Sequence, residues 1–117
     1  MLRLPPFTYL GARTVGDALK HLHDHGPEAM LVAGGTDLYP NMKRRQFEPR
    51  VLVGLRGIRE LAGIGGSARD GFVVGSQTTL TRVAEHPGLR EHFPALATAA
   101  GLVSSPQLRN MGTLGGN

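Results

Sequence analysis

Two glycine pairs are the residues of this 117-residue chain best suited to chemistry. Gly34-Gly35 is followed by Thr36 and Asp37, while Gly115-Gly116 lies between Thr113-Leu114 and Asn117. Paired glycines leave backbone amides uncovered, and Thr, Asp and Asn add short hydrogen-bonding groups. Such a loop suits an anion, above all where a strand passes through the turn into a helix start. Strand–turn–helix is also ordinary architecture, so the first loop alone supports anion binding only weakly. Two such loops from distant parts of the chain could form opposing walls of one anion-binding cleft. The GxGxxG rule is not met at Gly34-Gly35 and no GxxxxGK[ST] occurs, so dinucleotide-fold and nucleoside-triphosphate-hydrolase readings fail on pattern.

Other reactive side chains form no constellation. There is no cysteine, which excludes disulfides, thiolate catalysis, cysteine-ligated zinc and iron–sulfur clusters within this chain. His21, His23 and His25 fall on one helical stretch with Lys20, but no carboxylate cluster completes a metal site, and none is assigned. Lys43, Arg44, Arg45 and Arg50 are the most basic run. It reads as a solvated helix end or as a positive rim attracting a phosphorylated ligand. A formal net charge of +4 without interleaved aromatics does not argue for nucleic acid.

The elements that must position these residues can be read in order. Phe7 and Tyr9 mark a short edge strand. Thr14 fits an N-cap with Asp17 as the capping-box acid, and Val15, Ala18, Leu19 and Leu22 follow at helical spacing up to Gly26-Pro27. Ala29–Ala33 reads as a buried strand and Asp37–Arg44 as a short helix capped at or near Asp37, with Pro40 in its first turn. Arg50–Leu55 is a second buried strand, placed to pair in parallel. Ile64 and Gly71–Ser76 flank a hairpin turn; Thr81 opens a helix that stops near Pro87, and Phe93-Pro94 opens another that ends by Pro106. With 17 Gly and 8 Pro, the pattern predicts one loop-rich α/β (α+β) domain, 1–117. The N-terminus lacks a signal-peptide core and no apolar run reaches membrane-spanning length, so a cytoplasmic protein is expected.

Three blocks carry a resemblance. Val32-Ala33-Gly34-Gly35-Thr36-Asp37-Leu38 with Met42-Lys43, Gly75-Ser76-Gln77-Thr78-Thr79-Leu80, and Gln107 through Asn117 resemble the flavin-binding subunit or domain of the molybdenum hydroxylases. That family includes xanthine dehydrogenase, aerobic carbon monoxide dehydrogenase and 4-hydroxybenzoyl-CoA reductase. The resemblance implies the first subdomain of a PCMH-type FAD-binding fold in residues 1–60, a small three-stranded mixed or parallel sheet with flanking helices. Residues 61–117 would be a linker and the start of the second subdomain.

The resemblance also implies FAD as cofactor. Val32, Ala33, Gly34, Gly35, Thr36, Asp37 and Leu38 would wrap its diphosphate. Thr113, Leu114, Gly115, Gly116 and Asn117 would form the second loop, with close backbone approach at the two glycines and side-chain hydrogen bonds from Thr113 and Asn117. Leu108 and Met111 would position that loop, while Arg109, by its residue type alone, reads as a loop brace or a partner-facing charge. The flavin would carry the redox chemistry between iron–sulfur centres and an external acceptor or donor, so no catalytic residue is nominated. Partners implied are a molybdenum-cofactor subunit and a two-iron–two-sulfur subunit, and the Tyr39–Arg45 segment leans toward the 4-hydroxybenzoyl-CoA reductase type. Members of the family continue well beyond a second loop, so the 117 residues are expected to be an N-terminal fragment that binds FAD weakly or not at all by itself, although its parent protein does. The alternative is a non-enzymatic structural or assembly module without bound flavin.

Overall fold

Val51-Leu52-Val53 has no polar residue and becomes the innermost strand. The computed structural model describes residues 2–117, which form two compact units divided between Arg59 and Glu60. In the first, β1 (Thr8–Gly11), β2 (Ala29–Val32) and β3 (Val51–Gly54) make a sheet of order β1-β3-β2. Both pairings are parallel, with Tyr9 and Met30 each opposite Leu52. A strand flanked on both sides must be apolar throughout, and all four residues of β3 are buried. β2 was expected to be buried as well, but it is an edge strand. Leu31 is 45% exposed while Val32 is 4% exposed, the alternation of a strand with one covered face.

Helix α1 (Val15–His25) connects β1 to β2 and starts as its sequence dictates: the Asp17 amide donates to Thr14 Oγ1 at 3.0 Å. The Asp17 carboxylate accepts from the Arg13 amide at 3.2 Å, one residue earlier than a capping box would place it. Gly26 at φ +53 ends the helix. Ala18 is buried, but Leu19, expected on the covered face, is 61% exposed. Helix α2 (Leu38–Lys43) is the short crossover to β3. Met42 from α2, Leu52 and Val32 form the core with Leu4, Phe7, Met30, Leu38 and Tyr39 packed against them. Burying Leu52 and Met42 completely contributes about 2–3 kcal/mol each.

The second unit opens with the hairpin β4 (Ile64–Ser67) and β5 (Gly71–Val74), paired antiparallel with Ile64 opposite Val74. Four helices follow: α3 (Leu80–Glu85), α4 (Pro87–His92), α5 (Pro94–Leu102) and α6 (Pro106–Arg109). α3 begins one residue before the expected Thr81, because the Thr79 hydroxyl accepts from the Arg82 amide at 3.3 Å. Pro87, read as a stop, also opens α4, since proline needs no hydrogen-bonded N–H in a first turn. α6, read as loop, is a single turn started by Pro106. Leu80, Val83, Leu89 and Ala100 form the core here, with Ile64, Phe72 and Val74 of the hairpin packed against it. Among the described residues no helix is long and apolar enough to cross a membrane.

Candidate functional site: an amide-lined glycine loop

β2 ends at Val32, whose carbonyl accepts from the Leu55 amide at 3.0 Å. Beyond it the chain leaves the sheet at the C-terminal edge of parallel strands, where α/β sheets present their ligand sites. Two of the loop's carbonyls are engaged: Gly35 O accepts from the Tyr39 amide and Asp37 O from the Asn41 amide, both at 3.1 Å. Its amides are not. Among the described residues, no acceptor takes the N–H of Ala33, Gly34, Gly35, Thr36, Asp37 or Leu38. Residues 33–36 and 38 are half-buried and Asp37 is exposed, so these six donors stand at a partly enclosed surface. A run of amides without acceptors that leads into a helix start attracts an anion with several oxygens.

Gly35 has φ +74, which favours glycine, and a Cβ there would press on the Tyr39 ring, 2.5 Å from Cδ2. Tyr39 also stacks on Phe7, with centroids 6.5 Å apart and planes inclined by 29°. The loop thus folds over an aromatic base. Asp37 occupies the N-cap position with φ −104 and ψ −41, and its carboxylate makes no cap hydrogen bond, contrary to its expected role. An N-cap side chain needs extended backbone to reach the N2 or N3 amide, and Asp37 is already helical. The carboxylate is left exposed beside the loop.

The second glycine loop is built differently. Thr113 is 6% exposed and bridges antiparallel to Thr79. The Leu114 amide donates to Thr78 O at 2.9 Å, the Gly115 amide to Ser76 O at 2.8 Å, and the Gly116 amide to Thr113 Oγ1 at 3.1 Å. Three of its amides are therefore engaged by the chain, and the Thr113 hydroxyl oxygen serves the loop itself. Gly115 has an internal reason to be glycine, because a Cβ would lie 2.6 Å from Ser76 Cβ. Gly116 and Asn117 are exposed.

The clasp on this loop, Ser76 to Leu80, is the part least evident from residue types. Thr78 is fully buried; its hydroxyl donates to Gly63 O at 2.9 Å and accepts from the Gly63 amide at 3.0 Å. Gln77 N donates to Leu61 O at 2.7 Å. The segment is pinned on one side to residues 61–63 and on the other to 112–115. Arg109 braces rather than faces outward: Nη1 donates to Val103 O and Ser104 O, each at 2.9 Å. Leu108 and Met111 remain 42% and 37% exposed.

Charge is unevenly divided. Up to Arg59 the chain has nine Lys and Arg against five Asp and Glu, and beyond it four against four, so the whole +4 excess lies with the amide loop's unit. Arg45 pairs with Glu48 at 3.5 Å and Arg50 with Glu28 at 3.8 Å, which leaves Lys43 and Arg44 as the exposed cations of that run without an ion pair among the described residues. No group of three or more His, Asp or Glu side chains gathers among the described residues.

The family profile described as FAD binding domain in molybdopterin dehydrogenase matches residues 5–117. The chain is 40% identical over 111 residues to a putative xanthine dehydrogenase FAD-binding subunit of Escherichia coli strain K12, covering 94% of this chain and 37% of that one. It is 38% identical over 113 residues to the carbon monoxide dehydrogenase medium chain of Hydrogenophaga pseudoflava, covering 97% and 39% respectively. The solved Hydrogenophaga pseudoflava carbon monoxide dehydrogenase superimposes with a TM-score of 0.92 at 38% identity, over 97% of this chain and 39% of that one. The mixed α/β architecture with its three-stranded parallel sheet is therefore shared with that structure, and the 117 residues span under two-fifths of the relatives' length.

Proposed function

Because the chain belongs to the family of FAD-binding domains in molybdopterin dehydrogenases, we propose that it holds FAD as the electron-transfer part of a molybdenum-containing oxidoreductase. The observation that carries this reading is the run of six amides without acceptors from Ala33 to Leu38. A diphosphate offers enough oxygens to engage several of them, and Gly35 O and Asp37 O already have their own donors. The family's cofactor and the chemistry of this donor set fit each other.

The residues divide the work of binding. Ala33–Leu38 supply N–H donors, Gly35 and Tyr39 fix the loop's path, and the positive excess of the same unit favours approach of an anionic ligand. The exposed Asp37 carboxylate accepts hydrogen bonds only, so it serves a hydroxyl of the cofactor rather than a phosphate. Thr113, Leu114, Gly115, Gly116 and Asn117 supply a rigid surface, the exposed ones being Gly115, Gly116 and Asn117. Bound FAD supplies the redox chemistry, accepting electrons from one centre and yielding them to another. No side chain of this chain is assigned an acid–base or nucleophilic role.

The finer reading follows from resemblance. Partners of this protein are a molybdenum-cofactor subunit and a two-iron–two-sulfur subunit in a cytoplasmic complex, and the Tyr39–Arg45 segment favours a 4-hydroxybenzoyl-CoA reductase type. The test is competition for the flavin site in the full protein within its complex. If the amide loop holds a diphosphate, FAD binds and riboflavin, which lacks both phosphates, competes at least about a hundredfold more weakly. Equal competition by riboflavin would overturn the reading.

A further inference from the structure

Between α5 and α6 the chain passes through Ser104 at φ +49, a left-handed conformation that a residue with a Cβ adopts only where its surroundings impose it. One side chain holds the carbonyls of this turn. Arg109 Nη1 stands 2.9 Å from Val103 O and 2.9 Å from Ser104 O, so a single charged donor gathers two consecutive carbonyls of the turn. Such bonds are charge-assisted and stronger than their neutral equivalents. Arg109 is half-buried, and of the two bonds the one to Val103 O is partly shielded while the one to Ser104 O is exposed.

The same residue leads directly into the second glycine loop. The amides of Met111 and Gly112 both donate to Leu108 O, at 3.1 and 2.7 Å. Asn110 Oδ1 accepts from the Thr81 hydroxyl at 2.6 Å, and Gly112 O from the Leu80 amide at 3.0 Å. The loop thus hangs between two supports, the 76–80 clasp and α6. At four residues α6 is too short to be helical by itself. Its start is set by Ser105, whose hydroxyl accepts from the Leu108 amide at 3.4 Å, and Ser105 follows directly from the turn that Arg109 holds.

We infer that Arg109 is a positioning residue for cofactor binding: by holding the left-handed Ser104 turn, its guanidinium sets the shape in which Thr113–Asn117 meets the flavin. Its role is exerted through the turn, since its Nη1 is already engaged by Val103 O and Ser104 O. The inference rests on the FAD reading above.

The test uses the full protein in its complex, with Arg109→Gln, Arg109→Lys, Ser104→Gly and the double variant Arg109→Gln/Ser104→Gly. FAD dissociation constants and the visible circular dichroism of bound flavin are measured. Arg109→Gln is expected to weaken FAD about tenfold and to alter the dichroism, through loss of two charge-assisted bonds. Arg109→Lys, which keeps one charged donor group, falls between. Ser104→Gly in the Arg109→Gln background recovers at least about threefold, because glycine takes φ +49 without strain. Should Arg109→Gln fail to fold, the Lys variant and its Ser104→Gly double carry the same comparison. FAD affinity within about twofold of wild type and unchanged dichroism would overturn the inference, as would a double variant no better than the single. A wild-type protein without FAD would instead overturn the cofactor reading, and this inference with it.

Discussion

The ring of Tyr39 occupies the space that a side chain at residue 35 would need. Gly35 sits at φ +74 with Tyr39 Cδ2 2.5 Å from the position of a Cβ, and the Tyr39 amide closes the turn on Gly35 O at 3.1 Å. Two separate penalties therefore meet Gly35→Ala: about 1–2 kcal/mol for the left-handed backbone and about 1–3 kcal/mol for the steric conflict. The second should vanish, and only the second, in a Tyr39→Ala background. A double-mutant cycle by urea unfolding checks this; strict additivity of the two changes would mean that the ring does not restrict the loop.

Thr78 ties the clasp of the second loop to Gly63 through both functions of its hydroxyl. Thr78→Val keeps the shape but leaves the half-buried Gly63 N–H without its acceptor, while Gly63 O keeps the Gly75 amide at 2.9 Å, and the loss costs about 1–2 kcal/mol. The midpoint of thermal unfolding should fall accordingly. A midpoint within one degree of wild type, by differential scanning calorimetry, would show that the hydroxyl is dispensable.

His86 caps α4 by an unusual route: its Nδ1 accepts from the Leu89 amide at 3.3 Å, and its ring meets Phe72 edge-on with centroids 5.7 Å apart. Replacing it with Ala removes the acceptor and should cost about 0.5–2 kcal/mol, while Asn, a good cap, should recover part of that. Equal losses for Ala and Asn would assign the stability to the ring contact instead.

The Lys20–Asp24 pair on α1, at 2.7 Å, lies at the exposed surface. Its hydrogen bond to the Lys20 ammonium lowers the Asp24 carboxyl below the ordinary carboxylate range, and the same bond raises Lys20. The Asp24 contribution is therefore present above the ordinary carboxylate pKa and is lost as pH falls through the lowered value; that of Lys20 persists until pH rises through the raised one. Asp24→Asn should flatten the acid limb of stability slightly, and high salt should erase the difference. Urea midpoints against pH at two ionic strengths check this, and a salt-independent difference would contradict it.

Much of this arrangement can be read from local chemistry. The apolar run Val51–Val53, the Thr14 cap, and the Ile64–Val74 hairpin each depend on neighbours in sequence, and each forms where its residues direct. The first glycine loop is legible for the same reason: strand, two glycines and helix start follow directly on one another. What depends on distant pairing is not. Leu31 is exposed because β3, not β2, takes the middle of the sheet, and no residue near Leu31 announces that order. The second loop looks like the first in composition, yet its amides are taken by Ser76 and Thr78, more than thirty residues earlier. Pro87 shows a local ambiguity: proline forbids the continuation of one helix and suits the first turn of the next, and here it does both.

The central claim is that residues 33–38 hold the diphosphate of FAD through their backbone. Amide hydrogen exchange of the full protein, with FAD bound and after its removal, tests this most directly. The account predicts that the amides of Ala33 to Leu38 exchange rapidly without FAD and become protected with it, while those of Leu114 and Gly115, already bonded to Thr78 and Ser76, change little. Unchanged exchange at residues 33–38 in FAD-loaded protein would contradict the claim.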